Sequence, residues 1–167
     1  MIKDWKVLFL LFVVTVFFSC TKENDVISEA PGSNSNINKQ VLLNLVNQYR
    51  ASGCNCGADY YPPVASVSWN NTLEQAAKLH SDDMKNNNYF SHTGKDGTSP
   101  GDRISKYNYR WSAYAENIAK GYATEQTVME GWIKSPGHCA NIMNGNFKEM
   151  GVAKSGDYWT QEFATPR

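Results

Sequence analysis

Three histidines, one carboxylate and four cysteines carry whatever chemistry this chain has. His80, His92 and His138 are its only imidazoles in 167 residues. His92 stands in YFSHTGKDGTSP and His138 in GWIKSPGHCANIM, each beside glycines that let backbone approach closely. Glu116 stands in YAENIAKGY, which reads as a strand. On an alternating strand Tyr114, Glu116 and Ile118 share a face. A carboxylate on a mostly apolar face is costly unless it is paired. Two imidazoles and a carboxylate are the ligand types of an open zinc site. They are also the members of a hydrogen-bonded set around a cleft, and spacing alone favours that second reading. His80 falls on the inner face of a helix and reads as a hydrogen-bonded core histidine. Ser135, His138 and Glu116 are the residue types of a nucleophilic triad, but nothing local activates the serine. The chain contains no HExxH, no G-x-S-x-G and no phosphate-cradling G-x-x-x-x-G-K, so metalloprotease, serine-hydrolase and nucleotide chemistry lack their usual sequence supports.

The N-terminus sets the compartment. Lys3 and Lys6 precede residues 7–18, which are apolar except for Thr15. That run is short for a membrane span, which takes about 20 residues, and fits the apolar core of a secretory signal. Ser19 then places a small residue directly before Cys20, as in bacterial lipoprotein signals. The expectation is a signal peptide over 1–19 and lipidation at Cys20, an anchor of about 0.8 kcal/mol per buried methylene. Residues 20–38 read as a polar linker rich in Ser, Asn, Pro and Gly, reaching about 25 Å on average. The folded domain is expected over 39–167. The destination is the outer membrane, on its periplasmic or cell-surface side.

Export makes cysteine pairing the expectation. Cys54 and Cys56 are two apart, so a bridge between them is strained. The bridge should run from one of them to Cys139, closing a loop of about 80 residues worth about 4–5 kcal/mol in the chain-entropy account. One thiol is left over. A zinc site of Cys54, Cys56 and Cys139 is the alternative, but no CxxC pair supports it.

Certain elements must position these groups. Val41, Leu42, Leu45, Val46 and Tyr49 make a helical stripe that Gly53 ends. A second helix starts at an Asn70 or Asn71 cap and turns Leu73, Ala76, Ala77, His80 and Met84 inward. Pro100 can open a short helix. Thr124 caps a third long helix with Val128, Met129, Trp132 and Ile133 inward, stopped at Pro136 and Gly137. Residues 150–154 and 158–164 form a hairpin around Ser155-Gly156-Asp157. Helices and strands mix without a β-α-β repeat, which argues for an α+β fold. Sixteen basic and sixteen acidic side chains cancel, so the chain lacks the basic excess of a nucleic-acid binder. With 41% hydrophobic and 13% aromatic residues it is not a disordered chain.

The segments WNNTLEQAAKLHSDDM, NYFSHTGKDGTSPGDRI, AENIAKGY and GWIKSPGHCANIMNGNFKEMGVA, in that order, resemble the CAP superfamily. This superfamily comprises cysteine-rich secretory proteins, antigen 5 and pathogenesis-related 1 proteins, and the bacterial SCP-like branch is the nearest match. The resemblance implies a three-layer α-β-α sandwich and a cleft lined by two histidines and two acids. By position these are His92, Glu116 and His138. The second acid of the eukaryotic pattern falls three residues after Trp132, where this chain has Ser135. The resemblance also pairs Cys56 with Cys139 and leaves Cys54 odd. It implies an exported, monomeric envelope module without catalysis, binding a lipid, glycan or protein partner. Tyr89, Phe90, Trp111 and Tyr114 suit such a ligand. The alternative it leaves is a divalent-metal-dependent hydrolase, with zinc on His92 and His138.

Overall fold

The computed structural model describes residues 37–167. The signal peptide, Cys20 and nearly all of the linker lie outside them. Eleven elements follow in chain order: α1 (Lys39–Ser52), β1 (Cys54–Cys56), β2 (Asp59–Tyr61), β3 (Ser68–Trp69), α2 (Asn71–Asn86), α3 (Pro100–Lys106), β4 (Trp111–Lys120), α4 (Glu125–Lys134), α5 (Pro136–Ile142), β5 (Glu149–Ser155) and β6 (Tyr158–Pro166). Strands β3-β5-β6-β4 form one sheet and β1-β2 a separate hairpin. In the main sheet β3 runs parallel to β5 and the other neighbours are antiparallel.

The helices cover both faces of that sheet. On one face, Leu42 and Val46 of α1, Val128, Met129 and Trp132 of α4 and Ile142 of α5 pack on Met150, Val152, Trp159 and Phe163. On the other, Leu73 and Ala76 of α2 and Ile104 of α3 pack on Ala164, with Tyr114 against them. This is the three-layer α-β-α arrangement. Alternation sends Trp159, Gln161 and Phe163 of β6 to the first face and Thr160, Glu162 and Ala164 to the second. All six are buried, because helices cover both faces of β6.

Local chemistry sets the helix ends. Asn38, Asn70, Ser99 and Thr124 each accept backbone N–H groups at the starts of α1, α2, α3 and α4, satisfying donors that the first turn leaves orphaned. The expected inner face of α2 is buried throughout. It approaches the sheet closely at Gly151, where a Cβ would stand 2.2 Å from the Glu74 amide nitrogen.

Three expectations change. The inward line of α1 is Leu42, Val46 and Arg50, while Val41 is 39% exposed. Arg50 is buried because its guanidinium donates to the carbonyls of Ala65, Ile142, Asn144 and Phe147, a role that no apolar stripe reveals. Pro136 does not only stop α4; it opens α5 one residue later, with Ser135 ending one helix and preceding the next. The loop after α1 holds the β1-β2 hairpin, entered through Gly53 at φ 71°.

Candidate functional site

β4 is an edge strand of the main sheet, and it brings the two helical layers together. Its Glu116 turns toward α2 and α3. One carboxylate oxygen accepts from His92 Nδ1 at 2.7 Å and the other from Arg103 Nη2 at 2.6 Å. Only 1% of the Glu116 side chain is exposed, against 53% for His92. The carboxylate is therefore a buried post on which an exposed ring is set.

His92 is held by its backbone as well. Arg103 donates to the carbonyls of His92 and Thr98. His80 Nε2 lies 2.8 Å from the Ser91 carbonyl and 3.9 Å from Glu116. Burial, the largest influence on it, lowers the His80 pKa against the pull of Glu116. The neutral ring then spends its N–H on Ser91, the role of a core histidine. Asp83 fixes the same loop, accepting from the Lys95 amide at 3.1 Å and from the Tyr89 hydroxyl.

Burial alone would raise Glu116. The hydrogen bond from His92 and the charge of Arg103 outweigh it and hold the carboxyl below its ordinary range. Directly across the strand pair stands Glu162. It is fully buried and, among the described residues, no donor reaches either of its oxygens. Burial, then the facing Glu116 charge, push it well above the ordinary range. A protonated Glu162 can donate toward the ionised Glu116, so only one of the two facing acids carries charge.

This pair makes a prediction. The folded chain keeps a proton on Glu162 at pH values where the unfolded chain has lost it. Stability from this group is thus full below the ordinary carboxylate range and falls as pH rises toward its raised folded value. Glu116 acts in the opposite sense, losing its contribution as pH falls below the ordinary range. Glu162→Gln keeps the shape without the titration. It should raise the melting temperature by several degrees at about pH 8, with a gain that shrinks toward zero at about pH 4. Thermal melts at the two pH values decide it, and an equal gain at both would contradict a proton retained on Glu162.

His138 comes from the other layer, in the first turn of α5. Asn117 donates to its carbonyl at 3.2 Å, and Asn141 ties back to Asn117 at 2.8 Å and to the Glu116 carbonyl at 3.3 Å. The His138 ring lines a cleft of about 310 Å³ with Phe90, Ile118, Lys120, Trp132 and Ser135. Burial, then the charge of nearby His92, lower its pKa, so the ring is neutral at neutral pH. Of the residues expected to converge, His92 and Glu116 are hydrogen-bonded, and His138 and Ser135 share the adjoining cleft. No hydrogen bond joins Ser135 to His138 or His138 to Glu116 among the described residues. Phe90 faces the cleft and is 50% exposed, whereas Trp111 and Tyr114 pack edge to face in the α2-α3 core.

The only three potential metal ligands whose donor atoms lie within 4.8 Å of one another, among the described residues, are Cys54, Cys56 and Cys139. Two of them form the Cys56–Cys139 disulfide, with Cα atoms 5.4 Å apart, and Cys54 is the free thiol. Arg103 and Glu162 went unread in the sequence, although they complete the Glu116 post.

Comparison with known proteins fixes the lineage. Residues 43–164 match the CAP family, the cysteine-rich secretory protein family. The chain belongs to that family. An uncharacterized protein of Bacillus subtilis, YkwD, is 42% identical over 94 residues, covering 55% of this chain and 37% of that protein. An extracellular protein containing an SCP domain from Bacillus anthracis shares 29% identity at a TM-score of 0.65, covering 75% of this chain and 39% of that one. The chain thus spans well under half the length of these two relatives. An outer surface protein from Borrelia burgdorferi has the same fold, with a TM-score of 0.64 at 23% identity over 77% of this chain and 92% of that one.

Proposed function

We propose that this CAP domain is a noncatalytic binding module of the bacterial cell envelope. It would be exported, held to the outer membrane by a lipid on Cys20, and would take a lipid, glycan or protein ligand in the cleft beside His92 and His138. Export is supported by the signal-like N-terminus and by the extracellular Bacillus anthracis relative. The observation that carries the noncatalytic reading is the engagement of Glu116. Both its oxygens are occupied by His92 and Arg103 and it is buried, so this carboxylate is not free to act as a base toward a ligand in the cleft. The cleft itself has aromatic and aliphatic walls with a few polar groups, the usual make-up of a small-ligand site.

Untargeted mass spectrometry of compounds co-purifying with the full chain tests the reading. A stoichiometric ligand is expected, and Phe90→Ala should weaken its retention about tenfold, as loss of an aromatic contact of somewhat over 1 kcal/mol would. Intact mass of the membrane-extracted protein tests the anchor, and an unmodified Cys20 in a soluble chain would remove it.

A second reading, a divalent-metal-dependent hydrolase, rests on one feature. An ionised Glu116 requires the proton of His92 on Nδ1, which leaves Nε2 free in the manner of a carboxylate-oriented zinc ligand. His138, neutral at pH 7, offers a second imidazole. A third protein ligand is not in place, since Ser135 stands where the eukaryotic pattern has an acid and Glu116 is engaged, whereas catalytic zinc sites use three. Zinc binding is expected to be weaker than micromolar by calorimetry. Tight stoichiometric binding that His92→Ala/His138→Ala abolishes would favour the hydrolase.

A further inference from the structure

The envelope-binding reading leaves Cys54 without a part. Its sulfur lies 3.6 Å from that of Cys139, while Cys139 is bonded to Cys56. All three sulfurs fall within 4.8 Å of one another. The arrangement follows from the strand. Cys54 and Cys56 flank Asn55 in β1, and residues two apart on a strand point the same way. Both therefore face α5, where Cys139 is buried. The hairpin is pressed against the start of that helix: a Cβ on Gly57 would stand 3.0 Å from the Pro136 ring.

We infer that the three sulfurs form an exchange triad, in which the disulfide passes between Cys56–Cys139 and Cys54–Cys139. Cys54 gives its proton to solvent and attacks Cys139 Sγ as the thiolate. The Cys54–Cys139 bond forms, the Cys56–Cys139 bond breaks, and Cys56 leaves as a thiolate that takes a proton from solvent. No net oxidation or reduction occurs, so no outside reagent is required. The three sulfurs must approach a line for this substitution, and the present triangle is bent. A change of Cys54 rotamer must therefore accompany attack. Cys54 is half-buried, in a two-stranded hairpin outside the main sheet, where such a change disturbs little. Burial pushes the Cys54 thiol up, so exchange is best followed in mild alkali.

The consequence reaches the cleft. Cys139 follows His138 directly, so moving its tether two positions along β1 changes where the first turn of α5 is held. The disulfide isomer would then be a variable of the binding site.

Differential alkylation tests the triad. The oxidised full chain is held at about pH 9.5, above the ordinary thiol range because burial raises the Cys54 thiol, then quenched with acid. Free thiols take a light maleimide, and after reduction the remaining cysteines take a heavy one. Tandem mass spectrometry of the peptide containing both residues locates each label. Exchange predicts light label on Cys54 and Cys56 both, with Cys56 holding at least about a tenth of it after hours, the timescale of uncatalysed disulfide rearrangement. The distribution should not depend on protein concentration. Light label on Cys54 alone at every time overturns the inference, as does a ratio that scales with concentration. The variant Cys56→Ser, produced in an oxidising compartment, gives a second reading: a Cys54–Cys139 bridge supports the triad, and two free thiols count against it.

Discussion

Replacing Arg103 with methionine is expected to destabilise the domain by about 3–5 kcal/mol, the usual cost of removing one partner from a buried ion pair. Arg103 and Glu116 are 2% and 1% exposed and 2.6 Å apart. Methionine fills most of the same space, so little of the loss would come from a cavity. What remains is a buried carboxylate with no facing cation, held by His92 and by whatever the protonated Glu162 carboxyl can donate. The carbonyls of His92 and Thr98 lose their donors too, which loosens the loop that presents the His92 ring. The defect should shrink as the pH falls, because protonating Glu116 removes the uncompensated charge. Arg103→Met/Glu116→Gln should recover more than half of the loss for the same reason. Urea unfolding of the single and double variants gives the coupling directly. A loss below about 1 kcal/mol, unrelieved by Glu116→Gln, would show that the pair is not what holds the post.

The same residues show what a sequence can disclose. Helix α2 was legible because its inner positions recur at the helical period and its Asn70 cap is local chemistry. His92, Glu116 and His138 were found by residue type, local glycines and family resemblance. Arg103 was not, because a charge on a short helix reads as a solvent-facing residue until its partner on β4 is known. Glu162 was hidden differently. In WTQEFA three polar residues stand in a row, Thr160, Gln161 and Glu162, as they would on an exposed stretch, yet both faces of β6 are covered by helices. Successive residues there enter two buried layers rather than inside and outside, so no apolar period marks the acid as buried. The β1-β2 hairpin escaped because strands of three residues are too short for a period to show. The pairing of Cys56 with Cys139, by contrast, followed from the family resemblance, and the proximity of Cys54 to the same sulfur had no signal beyond the spacing of two.

That spacing separates the effects of removing either end of the bridge. Cys139→Ala deletes the sulfur common to both isomers. The bridge closes a separation of 83 residues, for which the chain-entropy account gives about 4–5 kcal/mol and measured losses run at about 2–5 kcal/mol. Cys139 is fully buried, so a small packing loss adds to this. Cys56→Ala leaves Cys54 within reach of Cys139. The replacement bridge would close a loop two residues longer, an entropic difference too small to measure. Under oxidising conditions Cys139→Ala should therefore cost about 2–5 kcal/mol, and Cys56→Ala at least about 2 kcal/mol less. Full reduction should erase most of the gap, since neither variant then has a bridge. Thermal unfolding with and without a phosphine reductant measures both halves. Equal losses for the two variants under oxidising conditions, with two free thiols in Cys56→Ala, would mean that Cys56 is the sole partner of Cys139 and that the hairpin cannot bring Cys54 into its place.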